Sequence, residues 1–227
     1  HCSCLYRGET YYVQIDSHTM FAKNWDVDLL AMMKRLPQNA VISYYPQPFD
    51  VTTNKTESNR MHTVPVICGA GFADGVISFK SHEVAQKELK LNAGVPNYNV
   101  GTAGGFLCMP GQAVLKVPFD PNLDMLFTGE EILYSARLFT HGYDFYPPTK
   151  NVVFHYYTRK NEPKFWDDVK HTPKHKGRDV VNGILRRDPK YLRLYYGLGT
   201  VRSIDEYWSI LNYDKHKNTF TKNACQW

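Results

Sequence analysis

Tyr11-Tyr12-Val13-Gln14-Ile15 is a run of aromatic and β-branched residues that stops at the polar triplet Asp16-Ser17-His18. Side chains of this shape fit a pleated surface, so the run reads as a buried strand. The triplet then falls just past a carboxyl end, where an α/β sheet carries its ligands. Residues two apart in extended backbone point to one side, so the Asp16 carboxylate and the His18 imidazole can converge on one ion. A mixed carboxylate and imidazole set suits manganese or a similar divalent cation better than calcium. Taken alone, Asp-x-His is a weak signal that reads first as a turn cap beside a surface histidine.

Downstream, Leu29, Leu30, Met32, Met33 and Leu36 recur at helical spacing from Asp26 onward, and Pro37 stops the helix. Val41 to Tyr45 reads as a second strand, ended by Pro46 and Pro48. Strand, helix, strand is the α/β rhythm. Asp50 to Thr63 is polar without periodicity and reads as an exposed loop. Val64 to Ile67 and Gly75 to Phe79 read as short strands, and Gly101 to Met109 as a glycine-rich turn leading into Phe106-Leu107. Glu130 to Thr140 carries the apolar spacing of a helix with Gly142 as its stop, and Val152 to Phe154 is a strand that ends at His155. Helical pieces follow around Asp179 to Arg187 and Ile204 to Leu211.

At 227 residues and 43% hydrophobic, the chain can bury one substantial core, and 1–227 is read as a single domain. Its catalytic core is expected at about 5–160, followed by a basic, aromatic segment at 161–227. The net charge is +5, and basic residues are densest from Lys150 to Arg202, among Trp166, Tyr191, Tyr195 and Tyr196. That mixture suits a diphosphate; no zinc-finger spacing, RNA-recognition signature or recognition-helix pattern accompanies it, so nucleic acid is not expected as the partner. No apolar run reaches membrane-spanning length. Five cysteines, with Cys2 and Cys4 the only close pair, look like neither a disulfide framework nor a structural zinc site, which favours a reducing compartment.

The polar residues that end these elements share one chemistry. His155 ends an apolar strand, as Asp16 does, and supplies a third candidate ligand; Tyr156-Tyr157-Thr158-Arg159 follows it with a guanidinium. A divalent ion on Asp16, His18 and His155 would keep positions open for two phosphate oxygens, with Arg159 neutralising the remaining charge. Gly104 and Gly105, without Cβ atoms, let the backbone approach a ligand, although an ordinary tight turn also explains them. Glu130 and Glu131 open a helix whose dipole favours carboxylates there whatever their function; at least one of them is expected to accept hydrogen bonds from sugar hydroxyls.

The blocks YYVQIDSH, NWD, TAGGF, LFTGEEILYSARLFTHGYD, PTKNVVFHYYTR and YGLGTVRS run in this order from Tyr11 to Ser203. Together they resemble the polypeptide N-acetylglucosaminyltransferases typified by a cytoplasmic enzyme that modifies hydroxyproline. More remotely, they are similar to the mucin-type polypeptide N-acetylgalactosaminyltransferases, which share an Asp-x-His motif, a Gly-Gly segment, a Gly-Glu segment and a late histidine. The resemblance implies an α/β GT-A fold with a mixed sheet, a UDP-N-acetylglucosamine donor and a protein hydroxyl acceptor on hydroxyproline, threonine or serine. It also implies Mn2+ or another divalent cation, retention of configuration and a cytoplasmic location.

By position, Asp16, His18 and His155 match the family's metal ligands, and Asp16, Glu130 and Glu131 are the expected catalytic carboxylates. Glu130 matches the acid that binds donor-sugar hydroxyls, Gly104 and Gly105 line the sugar pocket, and Tyr157 and Arg159 belong to the segment over the diphosphate. Members of this fold place a nucleotide-binding region ahead of the Asp-x-His strand, so that part is expected to be incomplete with fifteen residues before Asp16. A nucleotide-sugar-binding module without turnover is the alternative this raises. A metal-dependent hydrolase is a weaker third reading, since no second metal cluster or positioned base is evident.

Overall fold

The computed structural model describes residues 5–50, 55–56, 60–89, 99–123, 126–158, 175–191 and 195–221. Tyr11–Ile15 is a strand, β1, and the chain turns through Asp16-Ser17-His18 into β2 (Thr19–Phe21) and then helix α1 (Trp25–Met33). Next come β3 (Ala40–Ser43), β4 (Gln47–Asp50) and β5 (Lys55–Thr56), then the long pair β6 (Thr63–Ala73) and β7 (Val76–Ala85). β8 (Phe106–Pro110) leads through the short α2 (Ala113–Lys116) to α3 (Glu130–Thr140), β9 (Asp144–Tyr146) and β10 (Val153–His155). The described chain closes with α4 (His175–Leu185), α5 (Ile204–Ile210) and the ribbon β11 (Tyr213–Asp214) and β12 (Thr219–Phe220).

Two four-stranded sheets result, in the orders β1-β8-β3-β9 and β2-β10-β4-β5. Both are mixed. β8 runs antiparallel to β1 and β3, whereas β3 and β9 are parallel. β10 is antiparallel to β2 and parallel to β4. Alternation along β8 explains the layering: Leu107 and Met109 face one core with α3, α4 and α5, while Phe106 and Cys108 face a second core with Leu29, Met32 and Met33 of α1. The observed class is therefore α/β with mixed sheets.

Local chemistry sets the boundaries. Gly129 (φ 113°) and Gly142 (φ 94°) flank α3 in left-handed backbone that a Cβ would strain. Ser203 and Glu206 form a reciprocal capping box at the start of α5. Four expectations change. The Tyr11–Ile15 strand lies at a sheet edge, half-buried and with Ile15 exposed, and is not a buried strand. Pro48 does not end strand structure but lies within β4, paired beside His155 of β10. The polar stretch from Asp50 to Thr63 is not wholly loop, since β5 falls within it. The two short strands at 64–67 and 75–79 are one long antiparallel hairpin, turned at Asp74-Gly75 with φ 53° and 80°. Asp-Gly with both residues left-handed matches the twist of such a hairpin.

The cysteine reading also changes. Cys68 is disulfide-bonded, and Cys108 is a buried free thiol. A disulfide belongs with an oxidising compartment, so the cysteines no longer argue for a reducing one. Cys2 and Cys4 lie outside the described residues. Among the described residues no helix is long and apolar enough to cross a membrane.

Candidate metal and sugar-binding site

The β1–β2 turn carries Asp16 and His18 to the end of β10. Thr19 pairs with His155 across the β2–β10 ladder, and Tyr156 donates its backbone N–H to His18 O at 3.0 Å. One ligand atom each from Asp16, His18 and His155 then lie within 4.8 Å of one another. Asp16 Oδ2 is 3.0 Å from His155 Nε2, and the two imidazole rings meet edge-on at 6.2 Å. Two atoms each about 2 Å from a first-row ion lie at most about 4 Å apart, so small side-chain rotations bring the three onto one ion. One carboxylate and two imidazoles from two elements are a donor set that fits such an ion.

Neighbouring groups orient these ligands. Ser17 donates its N–H to Asp16 Oδ1 at 2.6 Å, which turns Oδ2 toward His155. The Ser17 hydroxyl lies 2.8 Å from His18 Nδ1, which presents Nε2 as the nitrogen for an ion. His155 is fixed from behind. Buried Tyr44, at the end of β3, donates its hydroxyl to Val153 O and accepts from the N–H groups of Val152 and Val153, at 2.9–3.1 Å. One side chain thereby ties the first sheet to β10.

The glycine turn lies against this cluster. Asp16 N–H donates to Gly105 O at 3.1 Å, and Gln14, two residues back on the same face of β1, donates its amide to Gly104 O at 3.1 Å. From the other side Glu131 accepts from Gly104 N–H at 2.7 Å and from the Tyr45 hydroxyl at 2.6 Å. Ser43 Oγ accepts from Ala103 N–H at 2.8 Å and donates to Phe106 O at 2.6 Å, clamping the turn to β3. Neither Gly104 nor Gly105 has a left-handed φ, so their value is space and not conformation. A Cβ on Gly105 would press on Pro46 at 3.3 Å, and one on Gly104 would stand against oxygens of both glutamates.

The two carboxylates have different surroundings. Glu131 is held by two protein donors; Glu130 has no hydrogen-bond partner among the described residues and presents an oxygen to the Gly104 backbone. Burial, with the Glu131 charge second, pushes Glu130 up to about 7. Glu131 is raised too, by burial, against the lowering pull of its Tyr45 and Gly104 bonds. Folded Glu130 therefore keeps its proton from about pH 4.5 to about 7 while the unfolded chain loses it, so stability falls as pH rises through that window. The expected loss is about 2 kcal/mol between pH 5 and 8, allowing for partial exposure, and Glu130→Gln should flatten it. Equal unfolding free energies at pH 5 and pH 8, measured by chemical denaturation, would reject the assignment.

Tyr157 donates its hydroxyl to Pro46 O at 2.9 Å and sets its ring edge-on to His155 at 4.4 Å. Burial raises its phenol to about 12, so it stays a neutral donor. Arg159 and Trp166 lie outside the described residues. The structure thus brings Asp16, His18, His155, Gly104, Gly105, Glu130, Glu131 and Tyr157 into one contiguous site. Sequence reasoning passed over Gln14, Ser43, Tyr44 and Tyr45. Gln14 had a readable signal, since strand alternation puts it on the side of Asp16; the others act through contacts made only in the folded chain.

Residues 1–217 match the glycosyltransferase (GlcNAc) family. The chain belongs to that family. Among solved structures, it is similar to GalNAc-T7 in a crystal structure with UDP, GalNAc and Mn2+, at 15% identity and a TM-score of 0.45. That match covers 92% of this chain and 39% of the GalNAc-T7 chain, so this sequence spans well under half of that neighbour's length. No curated protein matches the chain. The Asp16, His18 and His155 cluster thus lies in a chain that belongs to a glycosyltransferase family.

Proposed function

We propose that the chain carries the metal-binding catalytic part of a GT-A glycosyltransferase. It moves N-acetylglucosamine from UDP-N-acetylglucosamine to a hydroxyl of a protein, on hydroxyproline, threonine or serine, with retention of configuration. The observation that supports this most is the convergence of Asp16, His18 and His155 directly beside the glycine turn held by Glu131. Asp16, His18 and His155 would hold Mn2+ or another divalent cation, which would supply positive charge for the pyrophosphate and for the departing UDP.

The chain's own groups do the rest. Glu130, unengaged by protein donors among the described residues, accepts hydrogen bonds from sugar hydroxyls, and Glu131 keeps the Gly104 amide in place. Gly104 and Gly105 leave their side of the pocket without Cβ atoms, so a pyranose ring can lie against backbone. Tyr157 walls the site beside His155, and Arg159 is assigned to the phosphates. The acceptor hydroxyl enters on the face of the sugar that the diphosphate leaves, the C–O bond to the diphosphate breaks as the glycosidic bond forms, and the hydroxyl proton passes to the departing phosphate oxygen. Preorganised charge then lowers the barrier, without a strong protein base.

Incubation with Mn2+ and a panel of UDP-sugars, followed by assay of free UDP and mass spectrometry of acceptor peptides, tests the proposal. It expects UDP release with UDP-N-acetylglucosamine and a matching mass gain on a hydroxyl-bearing peptide. Binding of the nucleotide sugar with no release under any condition would mean a binding module without turnover. Phosphate release from simple esters, in place of sugar transfer, would mean a hydrolase.

A further inference from the structure

A second cleft, of about 710 Å3, lies away from the metal ligands and shares no residue with their cluster. Its walls are the β6–β7 turn, the end of α4, one face of α5 and the β11–β12 ribbon. The floor is apolar, from Ile77, Leu185, Ile204 and Trp208, all at most 5% exposed. Phe72 stands at the edge with 47% of its surface exposed, packed on Tyr213 and Phe220 at 6.2 and 5.4 Å between ring centroids. The wall is braced: Asn182 donates to Gly75 O at 3.2 Å, and Arg178 reaches Asp74 at 3.6 Å.

The rim is cationic, with Arg186, Arg187 and Lys215, and His216 lies beside them. The acidic residue that lines the cleft, Asp205, is already engaged by Lys215 at 2.6 Å. Arg186 and Arg187 have no ion-pair partner among the described residues, whereas Arg178 and Arg202 are paired with Asp74 and Asp144. Arg187 also takes φ 57°, at the left-handed position after a helix where glycine or asparagine is usual. An arginine there costs about 1 kcal/mol in backbone energy, which the stability of α4 does not require. The end of α4 attracts any cation, yet that attraction accounts neither for the strained position nor for the apolar floor beneath it.

We propose that this cleft docks an acidic polypeptide segment carrying a bulky apolar side chain between its carboxylates. Such a segment places the apolar group on the Ile77, Leu185 and Trp208 floor and its carboxylates on Arg186 and Arg187, whose forks match carboxylate geometry. A small inorganic anion would leave the floor unused. Single-stranded nucleic acid stacks successive bases on a row of exposed aromatic faces, whereas here Phe72 is exposed at the edge and Trp208 is 5% exposed. Aromatic and arginine groups around an apolar pocket are the composition of a protein-binding hot spot, and 710 Å3 accommodates one anchoring side chain with its neighbours. Docking here is separate from sugar transfer and needs no metal.

Fluorescence anisotropy with the whole chain tests this. The probes are a Glu/Asp-rich peptide with a central Phe, the same peptide with Ser for Phe, and a single-stranded oligonucleotide of equal charge. The Phe peptide should bind saturably and more weakly as salt rises. Arg186→Glu/Arg187→Glu should weaken it about ten-fold or more, Phe72→Ser by a smaller factor, and Asp16→Ala not at all. Arg187→Gly keeps or raises thermal stability while still weakening binding, a pair of effects that a misfolded variant cannot give. Absence of saturable binding, equal binding of the Ser peptide, tighter binding of the oligonucleotide, or unchanged binding in the double variant would each overturn the proposal.

Discussion

Asp16→Ala is expected to abolish metal-dependent release of UDP, by at least about three orders of magnitude, while leaving the fold intact. The two halves of that expectation rest on different observations. Asp16 supplies the only carboxylate of the three-ligand cluster, and a neutral pair of imidazoles left behind has neither the charge nor the ligand count to hold a hard divalent ion beside a diphosphate. The side chain is 47% exposed and bonded to Ser17 next door, and its N–H bond to Gly105 survives the substitution; what is lost is the 3.0 Å contact to buried His155 Nε2, so stability should fall by about 1–2 kcal/mol, well short of unfolding. Asp16→Asn separates charge from shape, because it keeps an acceptor for the Ser17 N–H; it should lose nearly as much activity as the alanine. UDP release assayed with Mn2+, alongside thermal unfolding of each variant, provides the check. Wild-type turnover in either variant would remove the metal assignment. Loss of turnover with a collapsed melting temperature would instead make Asp16 a structural residue.

The convergence of Asp16, His18 and His155 was legible in the sequence because these candidate ligands follow apolar runs. Ile15-Asp16 and Phe154-His155 are both places where an apolar run gives way to a polar group, and that transition is visible from composition alone, although the first run folds into a half-buried strand and the second into a buried one. Helix α3 was legible for a similar reason, with apolar spacing inside and Gly129 and Gly142 at its ends. The β6–β7 hairpin was not read as one unit. Its polar second half, from Lys80 to Glu83, breaks the hydrophobic pattern because those side chains face solvent, and the Asp74-Gly75 signal lay between two segments taken as separate. The pairing of β10 with both β2 and β4 was likewise beyond a linear reading, since it joins residues more than a hundred positions apart. The disulfide at Cys68 shows the same limit: counting thiols says nothing of which ones folding brings together.

Glu130 and Glu131 are adjacent and chemically identical, yet folding gives them separate tasks, and the difference can be tested. Glu131→Ala is expected to cost about 2–4 kcal/mol, because it strips an acceptor from the Gly104 N–H and from the Tyr45 hydroxyl at once. Tyr45 is held far above the ordinary phenol range, by burial first and by the Glu131 charge second, so it remains a donor with nowhere else to point. Glu131→Gln should lose about half as much, since its amide oxygen satisfies one donor while its NH2 faces the other. The functional consequence follows from the same contacts: with Gly104 released, the sugar side of the pocket loosens while Asp16, His18 and His155 keep their own supports in Ser17 and Tyr44. Mn2+ affinity measured by calorimetry should therefore hold, and the KM for the donor should rise before kcat falls. If Glu131→Ala keeps wild-type stability and donor KM, the glycine turn does not depend on this carboxylate. If it loses Mn2+ binding as well, the metal and sugar halves of the site are coupled through the Asp16–Gly105 hydrogen bond and not merely adjacent.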